Sequence, residues 1–137
     1  MSGTVHVLLV DDETDFTATL ARRLSRRGMA VETADSGEAG LEKLEHFAAD
    51  VVLLDVRMPG MDGLSVLHRI KESDPLIEVV MLTGHASMEV AIRGMELGAF
   101  DYMMKPVAFE ELLYKVEDAA ARKRLQEGRI EGRRRAE

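Results

Sequence analysis

Four apolar stretches of this chain each run directly into a polar residue: Val7–Val10 into Asp11 and Asp12, Val51–Leu54 into Asp55, Val79–Leu82 into Thr83, and Tyr102–Met104 into Lys105 and Pro106. The runs are too short for helices, rich in valine, and lack alternation of polar and apolar residues, which is how strands covered on both faces read. If they are parallel strands, their carboxyl ends lie side by side, where open α/β sheets place their ligand sites. Three carboxylates, a hydroxyl and an ammonium then converge on one spot. That set suits a divalent cation together with a phosphoryl group.

Between these runs the pattern changes to helical. Phe16, Leu20 and Leu24 recur at every fourth position from Asp15 to Arg27, with Arg22, Arg23, Arg26 and Arg27 elsewhere around the axis and Gly28 as terminator. Asp35 or Ser36 caps a second helix carrying Leu41, Leu44 and Phe47. Asp62 and Gly63 precede a third with Leu64, Leu67 and Ile70, and Ser87 starts a fourth that Gly98 ends. A fifth runs from Phe109 to about Ala121 with Leu112, Val116 and Ala119 or Ala120 inward. Met29–Thr33 reads as a further, weaker strand at a sheet edge. Five βα units predict a doubly wound, flavodoxin-like α/β fold with a five-stranded parallel sheet in the order 2-1-3-4-5. The strand order reverses between strands 1 and 3, so Asp11, Asp12 and Asp55 meet at the switch point.

Composition narrows the setting. The 137 residues suit one well-buried core, and the absence of cysteine excludes disulfides and thiolate metal sites. No apolar run reaches the roughly 20 residues of a membrane span and the start lacks a secretory pattern, so a soluble, cytoplasmic protein without a membrane role is expected. From Arg122 onward seven Lys or Arg face three Glu, a surplus of +4 that leaves −11 on the preceding 121 residues to give the chain's −7. An acidic body repels phosphate backbones, which argues against nucleic-acid binding through the main domain and leaves only the tail able to do it. The expected division is a domain over 1–121 and a basic tail or linker over 122–137; the stretch after Ala121 is open to continuing helix 5 as a linker, with Gly128 and Gly132 uncoupling Arg133–Arg135 from the core.

The chemistry follows from residue types. Asp55, central in the sheet, is a candidate carboxylate nucleophile toward phosphorus. Anionic attack on a phosphoryl group needs its oxygens neutralised, which Mg²⁺ on Asp12 and Asp55, with Asp11 further out, would do. Crowded carboxylates raise one another's pKa, so a cation also keeps the nucleophile ionised. His6, His46, His68 and His85 show no metal-ligand spacing.

The acidic pair after strand 1, Asp55 with the Met58–Gly63 loop after strand 3, Thr83-Gly84 after strand 4 and Lys105-Pro106 after strand 5 resemble the receiver domain of two-component response regulators, over about residues 4 to 121. That resemblance implies a signalling phospho-acceptor rather than an enzyme, taking a phosphoryl group from a sensor histidine kinase or phosphotransfer protein onto Asp55. It implies Mg²⁺ held by Asp11, Asp12, Asp55 and the backbone carbonyl of Arg57, with Lys105 and Thr83 contacting the phosphoryl oxygens. Self-phosphorylation, slow self-dephosphorylation influenced by Arg57 and His85, and a cis Lys105–Pro106 peptide are expected as well. Thr83 and Tyr102 would act as the switch, changing a face of helix 4, strand 5 and helix 5 that meets an effector, a missing output domain or, in a homodimer, a second copy. Met88, Met95, Met103 and Met104 read as an adaptable part of that face. An aspartyl-phosphate hydrolase of haloacid-dehalogenase type is the alternative, although it would normally carry an Asp where Arg57 stands. A flavodoxin-type cofactor module is disfavoured because the first loop, Asp11–Asp15, is acidic where a phosphate cradle needs glycines.

Overall fold

The computed structural model describes residues 3–58, 60, 62–84 and 88–136. Five strands, β1 (His6–Val10), β2 (Ala30–Ala34), β3 (Val51–Asp55), β4 (Glu78–Thr83) and β5 (Asp101–Met104), alternate with five helices: α1 (Thr14–Arg26), α2 (Gly37–Leu44), α3 (Gly63–Ser73), α4 (Met88–Glu96) and α5 (Phe109–Ala136). The strands form one parallel sheet in the order β2-β1-β3-β4-β5, as the alternation of patterns predicts. The polar-edged run Ala30–Ala34 takes one edge, where its outer side needs no apolar cover.

Because side chains alternate across a strand, each central strand feeds two cores. Val7, Leu9, Val51, Leu53, Val80, Leu82 and Met103 face α1 and α5 and meet Leu20, Leu24, Leu112 and Val116. Leu8, Val10, Val52, Leu54, Val79 and Met81 face the other way, onto Val66, Leu67 and Ile70 of α3. Continuous burial along β3 and β4 thus reflects helices on both faces. Met103 belongs to the first core, 5% exposed, while Met88, Met95 and Met104 stay on the surface, so the expected methionine face loses one member.

Local signals set the helix starts. The Ser36 hydroxyl accepts from the Ala39 N–H at 3.1 Å and the Asp62 carboxylate from the Ser65 N–H at 3.0 Å, each satisfying a donor the first turn leaves open. Gly63 matters for a different reason. A Cβ there would lie 2.4 Å from Val56 Cα, so only glycine lets α3 begin directly against the backbone that follows Asp55. Ser87, expected to start α4, lies outside the described residues.

The stretch after Ala121, left open as a continuation of helix 5, is helical: α5 passes Ala121 and continues to Ala136. Residues 119–127 are strong helix formers, and ion pairs one turn apart, Lys123–Glu127 at 2.7 Å and Glu131–Arg135 at 3.7 Å, support the extension. Gly128 and Gly132 each weaken a helix by about 1 kcal/mol, yet neither ends it. Lys123, 9% exposed, reaches Asp50 at 3.3 Å just before β3. Arg122 pairs with Glu78 at 3.2 Å and Arg124 donates to the Thr4 carbonyl at 3.0 Å. The first basic residues beyond Ala121 are therefore tied to the amino ends of β1, β3 and β4.

Candidate functional site

At the opposite end of the sheet the register assembles the polar residues. Asp11 follows β1 and hydrogen-bonds through its N–H to the Ala34 carbonyl, while Asp55 closes β3 beside Leu82 of β4. Thr83 stands one residue further along β4, and its carbonyl accepts from the Lys105 N–H at 2.8 Å. Strand alternation sends Asp11 and Asp55 to the α1/α5 side with Leu9 and Leu53, and Thr83 to the α3/α4 side with Met81. Tyr102, packed against that second core, shares the Thr83 side.

The charged groups converge. Asp11, Asp12 and Asp55 each present a carboxylate oxygen within 4.8 Å of the others; Asp11 and Asp55 are buried and Asp12 is exposed. Lys105 Nζ lies 2.8 Å from Asp11 Oδ2 and 3.6 Å from Asp55 Oδ2 and also pairs with Glu13. Oδ1 of Asp55 accepts the Arg57 N–H at 3.0 Å and Oδ1 of Asp11 the Glu13 N–H at 2.9 Å, which fixes both carboxylates. The Lys105–Pro106 peptide is cis.

Electrostatics follow from the packing. Burial pushes the Asp55 carboxyl up to about 6, and the neighbouring Asp11 charge adds to this; the Arg57 N–H and the Lys105 charge pull the other way. Burial lowers Lys105, but hydrogen bonds to Asp11 and Glu13 outweigh it and hold the ammonium above its ordinary value. Lys105 pairs with two of the three clustered carboxylates, Asp11 and Asp55. Such an oxygen donor set, with one exposed member as an entrance, could hold a hard divalent cation.

The family model described as "Response regulator receiver domain" matches residues 7–117. The chain belongs to the response-regulator receiver family. The DNA-binding transcriptional regulator NtrC of Escherichia coli strain K12 is 39% identical over 113 residues, covering 82% of this chain and 24% of NtrC. The transcriptional regulatory protein ZraR of Klebsiella oxytoca is 37% identical over 131 residues, 95% of this chain and 30% of ZraR. This receiver thus spans only about a quarter to a third of those curated relatives. Among solved structures, the CheY-like receiver domain protein of Methanospirillum hungatei JF-1 superposes with a TM-score of 0.86 at 30% identity, over 90% of this chain and 99% of that one. NtrX of Brucella abortus gives a TM-score of 0.88 at 31% identity, over 94% of this chain and 29% of that one. Membership settles the class: a two-component receiver with a phosphoryl-acceptor signalling role, which leaves the hydrolase alternative without support.

Every site residue singled out in the sequence and described in the structure lies in the loops or strand ends at this end of the sheet, apart from Tyr102, which sits lower in β5 against α4. His85, expected to influence self-dephosphorylation, lies outside the described residues, as do Pro59 and Met61 of the loop after β3. Sequence reasoning missed Glu13, and it read Phe16 only as core. Glu13 pairs with Lys105, and the Phe16 ring lies 4.7 Å from Lys105 Nζ. Their signal was position: both fall within five residues of Asp11, on the turn that enters α1 and on its first turn.

Proposed function

We propose that Asp55 accepts a phosphoryl group from the phosphohistidine of a sensor histidine kinase or phosphotransfer protein. An Asp55 carboxylate oxygen attacks phosphorus as the P–N bond breaks, and the departing imidazole takes a proton. Asp11, Asp12, Asp55 and the Arg57 carbonyl would hold Mg²⁺, which when bound supplies positive charge to the phosphoryl oxygens. Lys105 meets the same oxygens as a point charge, and the Thr83 hydroxyl donates to another. The observation carrying this reading is Lys105 Nζ at 2.8 Å from Asp11 and 3.6 Å from Asp55, two members of a cluster of three carboxylates. The same groups support self-phosphorylation from small donors and slow self-hydrolysis.

Signal output is assigned to the α4–β5–α5 face. Thr83 and Tyr102 share one side of the sheet, and Tyr102 lines a 370 Å³ cleft with Met88, Ala91, Ile92 and Met95 of α4. Movement of Thr83 toward a phosphoryl group frees space for Tyr102 and alters that cleft. Residues 1–121 act as the receiver, and 122–137 link it to an effector or output domain. The setting is the cytoplasm, where sensor kinases present their phosphohistidine; among the described residues no helix is long and apolar enough to cross a membrane.

Incubation with acetyl phosphate and Mg²⁺, followed by peptide mass mapping, tests the assignment. Label should appear on the Asp55 peptide, and Asp55→Asn should reduce it at least a hundredfold, on the order expected for loss of a nucleophile. Full labelling of that variant would move the acceptor elsewhere.

A further inference from the structure

Lys105 Nζ has three protons to donate, and two are already placed. Asp11 Oδ2 takes one at 2.8 Å and Glu13 takes another, while Asp55 Oδ2 at 3.6 Å is too far for a hydrogen bond. The ammonium therefore rests toward the β1–α1 loop, with the Phe16 ring 4.7 Å away on its flank. Its two partners differ in freedom. Asp11 is 3% exposed and anchored by the Glu13 N–H; the Glu13 side chain is 61% exposed. The Glu13 backbone is fixed as well, its carbonyl accepting from the Thr17 N–H and, at 2.9 Å, from the Thr17 hydroxyl. Only the Glu13 carboxylate is free to swing.

We propose that Glu13 is a positioning residue: a detachable counter-ion that holds Lys105 back from Asp55 in the resting receiver and lets go when a phosphoryl group arrives. The proposal rests on Asp55 as the phospho-acceptor. A phosphorylated Asp55 brings close to two negative charges and three acceptor oxygens toward Lys105. Asp11 stays within reach as Nζ advances, whereas the solvent-exposed Glu13 pair is the contact that is given up. Holding Lys105 in reserve opposes the activated state. The neutral isostere Glu13→Gln removes that opposition.

The test is beryllofluoride titration at saturating Mg²⁺, followed by NMR. Glu13→Gln should bind about 2- to 5-fold more tightly than the wild type, the size of one exposed ion pair, and the gain should shrink as salt is raised. Asp15→Asn removes an exposed carboxylate from the same first turn without touching Lys105, so it reports general electrostatics and should leave affinity unchanged. An equal gain in both variants, or none in Glu13→Gln, would overturn the proposal. A second measurement needs no metal or phosphoryl mimic. Urea unfolding in EDTA of Glu13→Gln, Lys105→Met and the double variant should show favourable coupling between the two side chains, and zero coupling also counts against the proposal. Failure of the wild type to bind beryllofluoride, or binding by Asp55→Asn, would instead strike the phospho-acceptor assignment, and the unfolding cycle would still judge the Glu13–Lys105 contact.

Discussion

Burying Asp55 costs the fold once its carboxyl ionises. Burial raises its carboxyl from an ordinary 3.8 to about 6, so the metal-free folded chain holds that proton more tightly than the unfolded chain does. The contribution to stability is full below the ordinary value and is lost as pH rises through about 6. Asp55→Asn abolishes the titration, and in EDTA the stability difference should move in the variant's favour by about 2–3 kcal/mol as the solution goes from about pH 4 to about pH 7. Urea unfolding across that range checks this, and a flat difference would contradict it. Added Mg²⁺ should narrow the gap, because a cation favours the ionised carboxylate that only the wild type has. The same residues show what a sequence can reveal at this scale. Asp11, Asp12, Asp55, Thr83 and Lys105 were legible because each ends an apolar run, and the order of runs dictates which ends meet. Glu13 and Phe16 were not, since their importance lies in where one flexible lysine chain comes to rest.

Among the elements, α5 is the one whose length the sequence left open. Its buried residues, Leu112, Leu113, Val116, Ala119 and Ala120, follow helical spacing up to Lys123, where apolar periodicity stops. Beyond that point no buried stripe marks the helix, and two glycines argue for a break. The extension instead draws on strong helix formers and ion pairs one turn apart. Gly128 has open space around it, so Gly128→Ala meets no obstacle and should stabilise the extension by about 0.5–1 kcal/mol. The readout is slower amide exchange over residues 124–136 and greater far-ultraviolet helicity; unchanged exchange would mean that the extension gains nothing from a better helix former. Strands were easier to read, because a sheet covered on both faces leaves an unbroken apolar run bounded by polar residues. Met103 shows the limit of that reading. Strand alternation, not residue type, turned it into the core.

Across the whole molecule, chemistry and mechanical anchorage occupy opposite ends of one sheet. Lys123→Met leaves Asp50, itself 9% exposed, without its closest cationic partner, and should cost about 1–3 kcal/mol in urea unfolding while acetyl phosphate labels Asp55 at the wild-type rate. A labelling defect equal to the stability defect would show that the two ends are not separable. Self-association belongs to this scale too. Met88, Ile92 and Met104 are 64%, 53% and 51% exposed on the α4–β5 face, and beryllofluoride should drive dimerisation through it. Sedimentation should show the wild type doubling in mass on activation and Ile92→Lys remaining a monomer; a dimer that survives this substitution lies on another face. The anchor at Lys123 has a geometric consequence as well. Thirteen residues of continuous helix separate it from Ala136, about 20 Å at 1.5 Å per residue, so a tilt of about 10° at the anchor sweeps the far end through about 3 Å. Displacements too small to disturb the packed sheet are thus multiplied along the helix into steps as long as a hydrogen bond.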